Sequence, residues 1–407
     1  MTDVKPKKPR LFYVDNLRIL LTILVVLIHL AVTYGASGEW PYREGRPDSL
    51  TSLVFTLSTA VTDAFVLGFF FMLAGYFTPG SFDRRGFWRY FRDRLLRLGI
   101  PLLFYILFLD PLIYYAIGVN SWGFDGRFWS IWGLNGAFWM YLGSHIRAYG
   151  DHGLGVGPLW YVEILLIFTL VYGLWRFVAK LTLFLLRRIG RSPDRMADKR
   201  PADSVPPLAI AGFALIVGIA TFLVRIRPVD LGLHPLYVPY ADLPQYVCLF
   251  VIGVVAYRRN WLLGISDVVG RLWLWIAVVC VVVVLPVLFV LGGALEGNTI
   301  RYTRGLHWQS FATSVWQQFV CMGMVVGLLA WFRKRLNRQG ALARAMAAST
   351  YAVYVIHAPA LVFLALSLRR YRLHLLLKFV LVAPVAVALC FAIGYAIKKL
   401  PLVKRIL

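Results

Sequence analysis

The stretch NLRILLTILVVLIHLAVTYG, residues 16–35, decides the fold, because it is apolar over a length that can cross a lipid bilayer. Two ionisable side chains interrupt it, Arg18 and His29. Their spacing of eleven residues places them about 16 Å apart along one helix and only about 20° apart around it. One face of a membrane helix is therefore predicted to carry a guanidinium near one surface and an imidazole near the middle of the membrane.

These two residues admit two interpretations. Ionisable groups inside a membrane are costly to bury, so they indicate a functional site, and an imidazole is suited to act as a general base. The alternative is an arginine that extends to the membrane edge and a histidine bonded to a neighbouring helix. Just before the apolar run, Asp15 and Asn16 are predicted to cap the start of the helix.

The composition of the whole chain indicates a membrane protein. The chain has 407 residues, of which 60% are hydrophobic, and its mean hydropathy is +0.70, which excludes an ordinary soluble domain. Backbone groups in lipid must bond within their own segment, and the alternating pattern of membrane strands is absent, so we predict an all-α, polytopic membrane helical bundle. Ten transmembrane helices are predicted, at residues 16–36, 52–78, 98–118, 157–186, 208–225, 241–257, 272–291, 310–332, 346–367 and 375–397.

The formal net charge of +24 does not indicate nucleic-acid binding, because the basic residues cluster between apolar runs. Alternate connecting segments hold most of the 43 lysine and arginine residues, which predicts that both termini are cytoplasmic. The predicted organisation is a basic N-terminal segment (1–15), a membrane domain (16–397) and a basic tail (398–407). The connection at residues 368–374 conflicts with this topology, since it places three arginines outside, and a misassigned ninth or tenth span would reverse the C-terminus.

A second cluster of charge lies in RRGFWRYFRDRLLRLGIP, residues 84–101, which is predicted to be a loop before the third span. Arg94 and Arg97 are three residues apart, so they share one face of a helical turn. Two guanidiniums on one face suit bidentate binding of phosphate. For any single arginine, flanking charge is the better explanation, whereas the pair beside Arg18 favours a phosphate site.

Two carboxylates lie inside predicted spans. Asp63 could orient His29 or pair with an arginine, and a satisfied structural carboxylate explains it equally well. Trp160 is predicted at the outer membrane interface, with Glu163 about one turn deeper. Glu163 could assist proton transfer or hold a sugar, or it could cap a neighbouring helix.

His357 lies in the apolar stretch STYAVYVIHAPALV, residues 349–362, and is followed by Pro359. A proline kinks a helix and frees a carbonyl group, which His357 is expected to bond. This structural role is favoured over catalysis, and His357 joins Trp160 as a candidate for contact with substrate.

No metal site is predicted. His145 and His152 flank Asp151, but this grouping resembles a metal cluster only loosely. The four cysteines lie in separate apolar runs and give neither a disulfide framework nor a metal-binding spacing.

Together, these motifs resemble the acyltransferase-3 family of polytopic membrane proteins. The matching features, in chain order, are DNLR followed by His29, FFFMLAGYF, the arginine pair before GIP, LWYVE at residues 159–163, and YVIHAP near the end. They extend over residues 11–400. Within the family, DNLR, RLGIP and DLPQYVCLFVIGVVAY resemble the osmoregulated periplasmic glucan succinyltransferases.

The resemblance implies a bacterial inner-membrane enzyme without a metal cofactor. It would transfer an acyl group, acetyl or succinyl, from cytoplasmic acyl-CoA to a hydroxyl group of an extracytoplasmic carbohydrate or glycolipid. On this hypothesis the phosphates of coenzyme A lie against Arg18, Arg94 and Arg97, and the pantetheine arm is comparable in length to the distance from Arg18 to His29. His29 would then act as the general base, with Asp63 and Glu163 as further catalytic candidates.

A competing hypothesis is a carrier or exporter of a sugar or a lipid-linked glycan. Such a protein would use the same intramembrane ionisable residues as a pathway for substrate or protons. The arginine pair distinguishes the two hypotheses, because transport gives no particular reason for phosphate ligands at one end of a path to His29.

Overall fold

The computed structural model describes residues 10–121, 155–188, 205–226, 240–294, 299–401 and 403. Ten helices within these ranges are long and apolar enough to cross a membrane, which confirms the predicted all-α, multi-pass membrane bundle. They are α1 (Phe12–Thr33), α2 (Ser49–Arg85), α3 (Phe87–Asn120), α4 (Gly157–Leu186), α5 (Pro207–Ile226), α6 (Tyr240–Arg259), α7 (Asp267–Leu291), α8 (Trp308–Arg335), α9 (Ala341–Leu368) and α10 (Leu375–Lys398).

Helix α1 packs against four other helices, α2, α8, α9 and α10. Leu17, Leu21 and Leu30 are completely buried in these contacts. The helix that carries Arg18 and His29 is therefore largely enclosed by protein, as expected for a helix that presents polar groups to a site inside the bundle.

Helices α2 and α6 approach each other closely through two glycines. A Cβ atom at Gly75 would collide with the backbone carbonyl of Phe250, and one at Gly253 would collide with the carbonyl of Met72. Lipid chains are as apolar as leucine side chains, so membrane helices associate through this kind of close packing. The contact fixes α2 against α6 and so fixes the arginines at the end of α2.

Replacing Gly253 with valine is expected to destabilise the protein by about 1–3 kcal/mol, because the added side chain overpacks a backbone contact. Thermal unfolding of the purified protein in detergent measures this loss. Gly212 is the matched control, since it also lies inside a helix but has open space where a Cβ would be. Equal shifts in Tm for Gly253→Val and Gly212→Val would contradict the close contact.

Three π-helical segments widen two of the helices. They are Leu95–Gly99 and Tyr105–Leu109 in α3 and Cys280–Val284 in α7. Each ends two residues before a proline, namely Pro101, Pro111 and Pro286. Proline lacks an N–H group and its ring collides with the carbonyl four residues back, so a wider turn relieves the conflict. The first π-helical segment of α3, Leu95–Gly99, carries Arg97.

The predicted capping of α1 by Asp15 and Asn16 is wrong. The helix begins at Phe12, and no side chain caps it. Asn16 instead donates hydrogen bonds to the main-chain carbonyl groups of Leu336 (2.7 Å) and Arg338 (3.0 Å), just beyond the end of α8. The amide is used to join two parts of the bundle that are distant in sequence.

The predicted loop at residues 84–101 is also wrong. Helix α2 continues to Arg85, Gly86 makes the turn with a φ of 73°, and α3 follows directly. A positive φ of this size favours glycine, so one residue is enough to reverse the chain. Arg94 and Arg97 therefore project from a helix rather than from a loop.

Candidate active site

A cavity of about 400 Å³ near the N-terminal end of α1 collects arginine side chains from three helices, and we call it the arginine cavity. Its arginines are Arg18 of α1, Arg84 and Arg85 of α2, and Arg94 and Arg97 of α3. The structure thus brings together the three residues predicted to bind phosphate and adds two more. Asp93 also lines the cavity and pairs with Arg85. The remaining excess of positive charge suits a ligand with several phosphate groups.

Neighbouring aromatic residues hold the predicted arginine pair. Pro101 has no N–H group to bond the carbonyl of Arg97, and the hydroxyl of Tyr351 donates to that carbonyl at 2.7 Å. The guanidinium of Arg94 lies 5.0 Å from the ring centre of Tyr90, a cation–π distance. Both arginines are thereby positioned by side chains from the bundle.

A second cavity, of about 660 Å³, contains His29, and we call it the histidine cavity. His29 lies one turn before the end of α1, nearer to that end than the predicted mid-membrane depth. The other side chains that concern its chemistry are Trp40, Arg43, Asp110, Tyr114 and Trp160. Flat aromatic rings beside carboxylate and hydroxyl groups suit a ligand with many hydroxyl groups.

The hydrogen bond of His29 sets the state of its imidazole. Nδ1 lies 2.9 Å from the carbonyl oxygen of Val25, which can only accept a hydrogen bond. In the neutral ring Nδ1 must therefore carry the proton, and Nε2 keeps its lone pair. This is the tautomer that a general base needs at Nε2.

His357 and Trp40 pack against the His29 ring. The ring centres of His29 and His357 are 4.9 Å apart, and Trp40 lies 4.5 Å from His29 and 6.4 Å from His357. His357 is completely buried, whereas His29 is partly exposed in the cavity. The second histidine and the tryptophan therefore fix the orientation of the first.

The prediction for the hydrogen bond of His357 is wrong in one detail. Pro359 frees the carbonyl group of Val355, four residues before it. Nδ1 of His357 instead donates to the carbonyl of Tyr354 at 2.7 Å, one residue earlier. His357 still bonds the main chain of its own helix, so Nε2 is again the nitrogen without a proton in the neutral ring.

One wall of the arginine cavity, at Tyr161 and Tyr354, reaches a residue of the histidine cavity. Tyr161 and Tyr354 both line the arginine cavity, with their ring centres 5.6 Å apart. The hydroxyl of Tyr354 donates to the carbonyl of Pro158 at 2.5 Å, and Pro158 lines the histidine cavity. The Tyr354 ring also lies 5.5 Å from that of His357. Tyr354 thus lines the arginine cavity while contacting Pro158 of the histidine cavity and the His357 ring that packs against His29.

Asp63 is not brought to His29. It lies on α2 close enough to Asp242 and Tyr246 for electrostatic interaction, and it is absent from the lining of both cavities. Within the described residues, the carboxylate of Asp242 pairs with Arg225 at 3.1 Å. The orientation of α2 therefore directs Asp63 to this separate polar cluster.

Trp160 and Glu163 lie in the first two turns of α4. Trp160 lines the histidine cavity, and its ring centre is 5.7 Å from that of Tyr246. Glu163 is 5% exposed, one turn deeper in the helix, and does not line either cavity. The structure thus places Trp160 in the cavity that contains His29, and Glu163 in the protein interior.

Several site residues were missed from the sequence. Asp110 carries a detectable signal, because it is an ionisable residue inside an apolar span, as His29 is. Trp40, Tyr161 and Tyr354 carry none, since single aromatic residues are common in membrane proteins. The loosely grouped His145, Asp151 and His152 lie outside the described residues. Within the residues that the structure describes, no three His, Cys, Asp or Glu side chains are grouped to hold a metal ion.

Comparisons with known proteins place the chain in a family. The family model described as "Acyltransferase domain" matches residues 11–395. The chain is 30% identical over 95 residues to "Glucans biosynthesis protein C" of Salmonella paratyphi B, Salmonella heidelberg and Salmonella schwarzengrund. This similarity spans 23% of the chain and 23% of the length of each relative. No solved structure matches.

Proposed function

The chain belongs to the acyltransferase-3 family and is a multi-pass membrane acyltransferase, and from this premise we propose which groups it transfers and how. The acyl donor is acyl-CoA bound in the arginine cavity, and the acceptor is a hydroxyl group of a glycan in the histidine cavity. The observation that carries the proposal is the pair of cavities: one collects five arginines, the other contains His29, and Tyr354 of the first is bonded to Pro158 of the second.

Donor binding follows from charge and reach. Arg18, Arg94 and Arg97 would contact the phosphates of coenzyme A, for which paired guanidiniums are well suited. Arg18 and His29 are about 16 Å apart along α1, a distance that an extended pantetheine arm can cover. On this proposal the thioester passes the contact between Tyr354 and Pro158, which opens during each cycle.

In the proposed reaction the acyl group passes directly from the sulfur of the thioester to the oxygen of the acceptor. Nε2 of His29 takes the proton of the acceptor hydroxyl as its oxygen attacks the thioester carbonyl. A carbon–oxygen bond forms and the carbon–sulfur bond breaks. The thiolate of coenzyme A leaves and takes the proton back from the imidazolium, so His29 returns to its neutral tautomer. Only the acyl group changes sides.

The acceptor would occupy the histidine cavity. Trp160 and Trp40 offer flat faces against which a sugar ring can pack, and the carboxylate of Asp110 lines the same cavity. His357 lies behind His29 and supports its orientation. The catalytic roles of Asp63 and Glu163 remain predictions and receive no step in this mechanism.

The proposed location is the bacterial inner membrane, with the arginine cavity on the cytoplasmic side. The basic end of α8 lies beside the start of α1, as the bonds from Asn16 show, so positive charge gathers at one end of the bundle. Helices α9 and α10 lie on either side of residues 369–374, and the even number of candidate spans in the described residues supports placing both termini on one side. The glycan would then be extracytoplasmic.

Coenzyme A is expected to stabilise the purified protein, by about 2.7 kcal/mol at one hundred times its dissociation constant. Differential scanning fluorimetry in detergent measures the rise in Tm. A glycan exporter has no reason to respond to coenzyme A, whereas an acyltransferase should also release free thiol when acyl-CoA and the acceptor glycan are both present. Stabilisation by free glycan alone, without any effect of coenzyme A or acyl-CoA, would favour the carrier hypothesis instead.

A further inference from the structure

Lys378 is a buried charge to which the proposed reaction assigns no role. It lies in the first turn of α10, within the apolar sequence LLLKFVLVAPV, and is only 2% exposed. Removing an ammonium group from water costs several kcal/mol unless close partners replace the lost hydration. A lysine buried at such a position therefore needs close oxygen partners.

All three N–H groups of the ammonium have oxygen partners. Nζ pairs with the carboxylate of Glu44 and donates to the carbonyl groups of Leu368 (2.8 Å) and Tyr371 (3.1 Å). It also lies 5.8 Å from the ring centre of Tyr34. The lysine thus joins the end of α9 to the connection between α1 and α2.

Two further contacts hold that connection in place, one at Glu44 and one at Asp48. The N–H of Glu44 donates to the carbonyl of Thr33 at 2.8 Å, which closes the connection against the end of α1. Four residues beyond Glu44, Asp48 lies 3.1 Å from His374. Hydrogen bonds from Thr51 hold the pKa of Asp48 at about 2, so its carboxylate is charged at neutral pH.

The same connection forms one wall of the histidine cavity. It supplies Gly38, Trp40 and Arg43, and the Trp40 ring packs 4.5 Å from His29. A shift of the connection would move this ring relative to the imidazole. Displacements of about 1 Å in an active site can reduce turnover by about 100-fold.

We propose that Lys378 is a positioning residue for acyl transfer: through Glu44 it holds the α1–α2 connection so that Trp40 packs against His29. This inference rests on the proposed function, because it assigns Lys378 to the cavity in which the acceptor reacts. Lys378 itself touches neither substrate, and it lies away from the arginine cavity.

The test combines steady-state kinetics with a double-mutant cycle. Lys378→Met is expected to lower kcat at least about tenfold and to leave the KM for acyl-CoA within about twofold, since the arginine cavity is untouched. In a Trp40→Ala background the same substitution should have little further effect on kcat, because the ring it positions is gone. Lys399→Met is the control, since Lys399 is an exposed lysine directly after α10. Independent, additive effects of Lys378 and Trp40 would overturn the proposal.

Hydrogen exchange separates this inference from the proposed function. Lys378→Met is expected to speed amide exchange in residues 36–46 while leaving α7 unchanged, whether or not acyl transfer is observed. Glu44→Gln, which keeps the lysine, should reproduce the effect more mildly and serves if Lys378→Met does not fold. Unchanged exchange in both variants would contradict the positioning role, whereas altered exchange without any acyltransferase activity would contradict only the assigned reaction.

Discussion

Replacing His29 with glutamine is expected to lower kcat for acyl transfer by about 100-fold or more, because the general base is lost. Glutamine retains a side chain of similar reach but cannot accept a proton at neutral pH. Binding of coenzyme A should be preserved, since His29 is outside the arginine cavity. Release of free thiol from acyl-CoA in the presence of the acceptor, followed with the purified variant, measures the effect.

His307 provides the matched control for this substitution. It is exposed at the start of α8 and does not line either cavity, so His307→Gln should keep full activity. A folded His29→Gln protein with undiminished turnover would exclude His29 as the base. His357 would then be the histidine to test next, because its ring is 4.9 Å from His29.

The double substitution Arg94→Gln/Arg97→Gln is expected to raise the KM for acyl-CoA by about 100-fold or more. A hydrogen bond to a charged group contributes about 1.5–3 kcal/mol, and each 1.4 kcal/mol is a factor of about ten in affinity. When the contributions of the two guanidiniums add, their loss therefore raises the KM by more than about 100-fold. Stabilisation by coenzyme A in the thermal assay should disappear in the same variant.

A charge-matched control distinguishes phosphate binding from general electrostatics. Arg89 and Arg92 are also three residues apart in α3, and both are exposed and outside the arginine cavity. Arg89→Gln/Arg92→Gln removes the same charge but should change the KM less than about threefold, as expected for exposed charges in salt solution. If both double variants weaken acyl-CoA binding equally, the arginine cavity is not the donor site.

The part of the site on α1 could be predicted from the sequence because a helix converts spacing into geometry. Arg18 and His29 lie on one continuous helix, so their separation follows from the rise per residue. The ten spans were predictable for a similar reason, since the bilayer sets the length of an apolar helix. Arg94 and Arg97 also line one cavity, although their spacing gives no sign of the π-helical segment that carries Arg97.

The remaining contacts depend on how distant segments pack. Trp40 reaches His29 because the α1–α2 connection folds back over the end of α1, and no periodicity describes a connection. Glu44 and Lys378 are 334 residues apart in the chain, so a single sequence gives no sign that they meet. Asp63 was correctly placed in a span, but the rotation of α2 against α6, which decides what its carboxylate meets, is a property of tertiary packing.

The most direct test of the central claim is a sided transfer assay in proteoliposomes. Acceptor glycan is enclosed in vesicles that contain the oriented protein, acyl-CoA is added only outside, and the glycan is analysed by mass spectrometry. The two-cavity arrangement predicts a glycan heavier by one acyl increment inside, with coenzyme A remaining outside and no product for His29→Gln. Export of unmodified glycan, or acylation only when donor and acceptor share one side, would contradict transfer through the wall between the arginine and histidine cavities.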